Sequence, residues 1–194
     1  QIYRIENGNP GDKIAVHKSG KCFVEFRASC ICMEDNKRIE RVMKMTHREK
    51  AIENFYKGYN CAQSVFMAFC DVTGYSEEEA LKLSSSFGGG MGRMREVCGS
   101  CSAMFMIAGI LYGYTDISTD EAKKNHYALV QSLAAKFKEK HGTIICRELL
   151  KTLKPDETPV PTPRTEGYYK IRPCVKFIAD AADILDELIA ERTN

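Results

Sequence analysis

"SSSFGGGMGRMREVCGSC", running from Ser84 to Cys101, holds five of the chain's fourteen glycines between Gly88 and Gly99, directly before two cysteines. Two familiar glycine-rich devices fail on spacing. A Walker loop needs Gly-Lys-Ser/Thr after a strand, and a dinucleotide fingerprint needs G-x-G-x-x-G between strand and helix. Here the glycines have neither spacing and follow a predicted helix. What they offer is close backbone approach and positive φ, turning Cys98 and neighbouring main-chain amides toward a common point. A tight interhelical corner is the equal alternative on the glycines alone.

Outward from this corner the signals are helical. Thr46 with Glu49 makes a capping box for a helix to about Lys57, stopped by Gly58. Asn60 caps the next, with Cys61, Val65, Phe69 and Val72 along one face. Ser76 with Glu79 caps a third, which ends as the glycines begin. After them Gly99 to Tyr112 reads as an apolar central helix. Ser118 or Thr119 caps a long amphipathic helix with Ala122, His126, Leu129, Val130, Leu133 and Phe137 on its stripe, closed by Gly142.

Thr143 starts a short helix, "IICRELLK". Four of the six prolines lie in "KPDETPVPTPR", an extended surface crossing. Pro173 suits a first helical position, and "CVKFIADAADILDELIAER" carries Cys174, Ile178, Ala181, Leu185 and Leu188 on one side. The expected fold is an all-α, compact bundle of about six helices over 45–194, a helical cysteine-rich redox domain. Residues 1–44 read as an appendage, a small β-hairpin built on "KIAV" and "CFVEF" around a Ser-Gly turn.

A length of 194 residues and 44% hydrophobic composition suit one compact domain with a small appendage. Lys+Arg of 28 against Asp+Glu of 26 leaves a net charge of +2, with no long single-sign run, so nucleic acid and anionic membranes are not expected partners. The apolar stretch Ala103–Tyr114, interrupted by Gly109 and Gly113, falls short of the roughly 20 residues a membrane span needs. No basic start followed by an apolar run and a cleavage site opens the chain, so the expected location is cytoplasmic.

Nine cysteines are many for such a protein, and an odd number cannot all pair. In a reducing compartment they point to metal binding or redox chemistry. Cys61, Cys98, Cys146 and Cys174 each fall within or just before the first turn of a predicted helix. There the unpaired N–H groups and dipole favour negative charge, which lowers a thiol pKa toward the thiolate range. Three also lie on apolar stripes, Cys61 with Val65, Cys146 with Leu149 and Leu150, and Cys174 with Ile178, so they point inward and can converge at one end of the bundle. Any single free cysteine is as readily a small core hydrophobe, the reading that suits Cys70. Four with one placement are a different matter. Cys22, Cys30 and Cys32 offer three thiols with no evident fourth ligand.

"GYNCAQSVF", "SSSFGGGMGRMREVCGS", "IICREL" and "RPCV" resemble, in order and character, the redox-active family named for its C_GCAxxG_C_C cysteine pattern, over about Thr46 to the C-terminus. The resemblance implies a small helical cytoplasmic protein in which Cys61, Cys98, Cys146 and Cys174 hold a redox centre, an iron–sulfur cluster or a thiol pair, with Gly99 beside it. The family is also distantly similar to a segment of split-Soret cytochromes. The chain departs from the family pattern after Cys98 and Gly99, where Ser100, Cys101, Ser102 and Ala103 replace the last glycine and create "CGSC".

Three function classes follow. An electron-transfer or redox-sensing protein with an iron–sulfur cluster needs four thiolates and hydrogen-bonding amides. A thiol–disulfide oxidoreductase would use Cys98 to attack and Cys101 to resolve. A structural zinc or interaction protein ranks below, because zinc sites usually show two C-x-x-C knuckles and only one is present. The histidines lack H-E-x-x-H and read as surface or capping residues. Arg93 and Arg95 read as a solvated pair, with neutralisation of an anionic cluster as the sharper alternative. Tyr112, Tyr114, Tyr168 and Tyr169 read as core packing or as pocket lining. An unnamed redox protein is the expected partner, and the apolar central helix, with the cytochrome likeness, suggests a homodimer.

Overall fold

The computed structural model describes residues 45–150 and 158–193, all within one unit, Met45–Asn194. The hairpin expected in 1–44, with Cys22, Cys30 and Cys32, lies outside the described residues, as does 151–157. Among the described residues the fold is all-α, and the β-like pairing is a single antiparallel bridge between Val97 and Ile145.

The helices are α1 His47–Tyr56, α2 Cys61–Ala68, α3 Cys70–Thr73, α4 Glu77–Ser84, α5 Gly99–Tyr112, α6 Asp120–His141, α7 Cys146–Leu149, α8 Glu166–Ile171 and α9 Cys174–Thr193. The three expected helix caps form: Thr46 with Glu49 and Ser76 with Glu79 satisfy each other's backbone N–H groups, and Asn60 does the same with Gln63, a partner the sequence reading had not named. Thr119 occupies the N-cap of α6 without a side-chain bond, and left-handed Gly142 closes that helix.

Two elements differ from expectation. The face expected to run from Cys61 to Val72 is broken at Phe69, where φ −105° and ψ 20° end α2 and α3 restarts. Phe69 is fully buried at this break while Val72 is exposed, so packing of one large ring outweighs helix continuity. The segment 158–165 is non-helical as its prolines require, but α8 follows it, capped by Thr165 accepting the Tyr168 N–H, and the apolar pattern was too short to announce it.

Helix α5 is the centre of the bundle, packed against α2, α6 and α9. Phe66, Met104, Ile107, Leu133, Phe137, Ile178, Ile184 and Leu185 are all essentially inaccessible to solvent. Each such side chain contributes about 1.5–3 kcal/mol on leaving water.

The glycine corner is not a regular helix. Gly89, Gly90 and Gly92 sit at φ 65°, 73° and 62°, and Met91, Arg93 and Arg95 at φ 61°, 72° and 62°. Left-handed backbone at non-glycine residues costs on the order of 1–3 kcal/mol each and persists only where the surroundings hold it. Here the Glu96 N–H donates to the Gly90 carbonyl at 3.1 Å, and the far side is stitched to the start of α7: the Cys98 N–H to Ile144 C=O at 2.8 Å, the Cys146 N–H to Glu96 C=O at 2.6 Å, and the Arg147 N–H to Arg95 C=O at 3.0 Å. These bonds set Cys98, at the head of α5, beside Cys146, at the head of α7.

Candidate functional site

Cys61, Cys98, Cys146 and Cys174 line one cavity of about 300 Å³. They come from the first residues of α2, α7 and α9 and from the N-cap of α5. Cys98 and Cys146 are buried, and Cys61 and Cys174 are partly exposed. Cys70 packs against the core elsewhere, and Cys101, fully buried, sits one helical turn into α5.

The glycines admit the sulfurs. A Cβ on Gly99 would stand 2.6 Å from the Cys61 Sγ, and one on Gly90 would stand 2.6 Å from the Cys146 Cβ and 2.9 Å from the Arg95 Cα. Real Cβ atoms do not approach so closely, so the corner that opened the sequence reading is a wall thin enough for two cysteines to lie against it. Asn60 joins this wall to α2: its Oδ1 accepts from the N–H groups of Ala62 and Gln63, and its Nδ2 donates to the Ser85 carbonyl at 3.1 Å.

The thiols contact one another. Cys98 lies beside both Cys61 and Cys101, while the backbone N–H groups of Gly89 and Gly99 face the Cys61 sulfur. The expectation that helix starts lower these pKa values is overturned. The neighbouring Cys98 thiol, then burial, raises Cys61 well above the usual thiol value; the neighbouring Cys101 thiol and burial raise Cys98; burial raises Cys146; and burial pushes Cys174 up to about 12. Desolvation of neighbouring thiols outweighs helix starts, two of which belong to helices of only four and eight residues. Among the described residues no three His, Cys, Asp or Glu side chains form a ready-made metal cage.

The wall is cationic. Arg93, Arg95, Arg164 and Arg172 line the cavity, and among the described residues no Asp or Glu does. The Arg93–Arg95 pair is therefore part of the cavity rather than a solvated pair. Arg95 faces the Cys146 sulfur and favours its ionised form. Arg164 donates to the carbonyl of Tyr59 at 3.0 Å and lies 4.5 Å from the Phe55 ring centroid, and the Arg172 guanidinium lies 4.7 Å from that of Tyr168. Arg164 and Arg172 escaped the sequence reading. Arg172 carried a signal, standing two residues before Cys174, whereas Arg164 arrives only because the proline segment returns across α1. Among the histidines, His141 differs from the surface or capping placement expected: it is enclosed by Phe137 and Phe177, its Nε2 2.9 Å from Asp180.

A family model described as "Putative redox-active protein (C_GCAxxG_C_C)" matches residues 59–188. The chain belongs to this family. The matched span contains all four cavity cysteines and the whole glycine corner, and leaves Cys22, Cys30 and Cys32 outside. No curated protein and no solved structure matches the chain. No helix among the described residues is long and apolar enough to cross a membrane.

Proposed function

We propose that this family member is a redox protein that holds an iron–sulfur cluster through Cys61, Cys98, Cys146 and Cys174 and exchanges electrons with a partner protein, for transfer or sensing. The observation that carries this reading is that four cysteines from four separate segments line a single cavity. The donor set suits the group, because thiolates are the ligands iron–sulfur clusters use and their combined charge is negative. The wall suits it too: its guanidiniums, with no carboxylate beside them among the described residues, compensate that charge, and the Gly89 and Gly99 amides face the Cys61 sulfur. A bound cluster supplies one-electron storage. The chain supplies ligands, amide donors and counter-charge. Since the thiols are protonated in the metal-free chain, loading releases protons and strengthens with rising pH.

A second reading is favoured by one juxtaposition, the free thiols of Cys98 and Cys101 beside each other at the start of α5. In that reading these two thiols form a reversible disulfide, and Cys146 and Cys174 are dispensable.

Purification without oxygen separates the two. The cluster reading expects brown protein with comparable iron and acid-labile sulfide, both depleted by replacing Cys61, Cys146 or Cys174 with Ser. A colourless, iron-free protein that still refuses a cluster on reconstitution overturns it, and a defined Cys98–Cys101 reduction potential then supports the dithiol. Zinc bound at those sulfurs in place of iron would show in the same metal analysis.

A further inference from the structure

We propose that the arginine-lined side of this cavity binds a small inorganic oxyanion of the sulfate and phosphate class. The inference concerns the metal-free chain and does not rest on the cluster.

Two observations point to a ligand independently. The first is charge: among the described residues the cavity lining includes no carboxylate, and half-buried Arg95, Arg164 and Arg172 have no ion-pair partner there. Placing several guanidiniums together in a partly desolvated recess is costly unless an anion compensates them. The second is unsatisfied hydrogen bonding. Ser100 is fully buried, lines the cavity, and its Oγ has no partner. The Arg172 Nε is likewise buried without a partner. Buried donors left unpaired are uncommon in a folded protein and mark places where something is missing.

The ligand's class follows from these donors. Guanidinium N–H groups match the oxygen spacing of an oxyanion, and a serine hydroxyl adds a further donor. Arg164 already spends donors on the carbonyls of Phe55 and Tyr59, so its part is charge, while Arg172 and Ser100 retain free donors. A cavity of about 300 Å³ has room for an ion of this size beside the thiols. Cys61 and Cys174, the two partly exposed cysteines of the lining, would then share the cavity with a bound anion.

The test uses the full chain, reduced and metal-free, titrated calorimetrically with sodium sulfate and with phosphate while sodium chloride holds ionic strength constant. Thermal shifts are avoided, because sulfate stabilises proteins generally by exclusion from their surface. Saturable binding of either ion is expected, weakened about tenfold or more by Arg172→Gln, and also by Ser100→Ala, with Arg172→Lys intermediate. Absence of saturable binding overturns the proposal, and so does undiminished binding to a folded Arg172→Gln protein. If that variant does not fold, alkylation of the wild type decides: sulfate should slow iodoacetate at Cys61 and Cys174 more than it slows neutral iodoacetamide, and equal rates with and without sulfate overturn the proposal. No iron enters these measurements, so failure here and failure of the cluster reading are separate results.

Discussion

The Cys61 sulfur rests against the backbone of Gly99 so closely that a methyl group on Gly99 would stand 2.6 Å from it. Gly99→Ala should therefore push Cys61 out of place. Overpacking of this kind costs about 1–3 kcal/mol, read as a lower urea midpoint, with faster alkylation of Cys61 locating the damage. Gly90→Ala should cost more, because a clash with Cys146 is added to a left-handed φ of 73°. Wild-type stability and thiol reactivity in both variants would refute the close-packed wall.

Asn60→Ala tests the link between α2 and the glycine corner. It removes two cap bonds and the bond to Ser85, and loss of a cap alone costs about 1 kcal/mol. We expect destabilisation of about 1–2 kcal/mol together with greater reactivity at Cys61, the residue the cap immediately precedes. Destabilisation without any change at Cys61 would confine Asn60 to capping.

Cys101 separates the two functional readings in one variant. It is fully buried beneath Cys98 and does not line the cavity. Cys101→Ala should leave iron and sulfide content unchanged if the cluster reading holds, and should eliminate the reversible disulfide if the dithiol reading holds. Metal analysis and a redox titration followed by thiol labelling give the answer.

The raised thiol pKa values predict alkaline sensitivity. In the unfolded chain a thiol ionises near 9.0, while burial holds folded Cys174 near 12 and the other three cavity thiols are also raised. The folded state keeps protons that the unfolded state loses, so this contribution is whole below pH 9 and declines as pH rises toward 12. Urea midpoints of the reduced, metal-free protein should fall across that range. The fall should be smaller in Cys174→Ala.

Histidine sets the acid side. Desolvation lowers the His141 pKa below 6.5, against the opposing pull of Asp180. A depressed pKa in a base means that the unfolded chain binds the extra proton, so this share of stability is whole above pH 6.5 and is lost as pH falls below it. The midpoint of His141→Gln should show a weaker dependence on pH in that range than the wild type.

Much of this protein was already legible along the chain. Three helix caps, the apolar run of α5, the Gly142 stop and the apolar stripe of α9 are local signals, each written within a few residues, and each produced the element it announced. The four cysteines stood out for the same reason, by position relative to helix starts. What local pattern could not supply was anything dependent on which segments meet. The break at Phe69 follows from the packing of a ring against distant helices. The junction of Cys98 with Cys146 depends on hydrogen bonds between the glycine corner and the start of α7. Arg164 and Arg172 join the wall because the chain returns there after the prolines. The direction of the thiol pKa shifts was decided by tertiary structure as well: a helix start is a local property that favours thiolate, but desolvation and the nearness of other sulfurs exist only once the chain has closed around them, and in the cavity they are the larger effect.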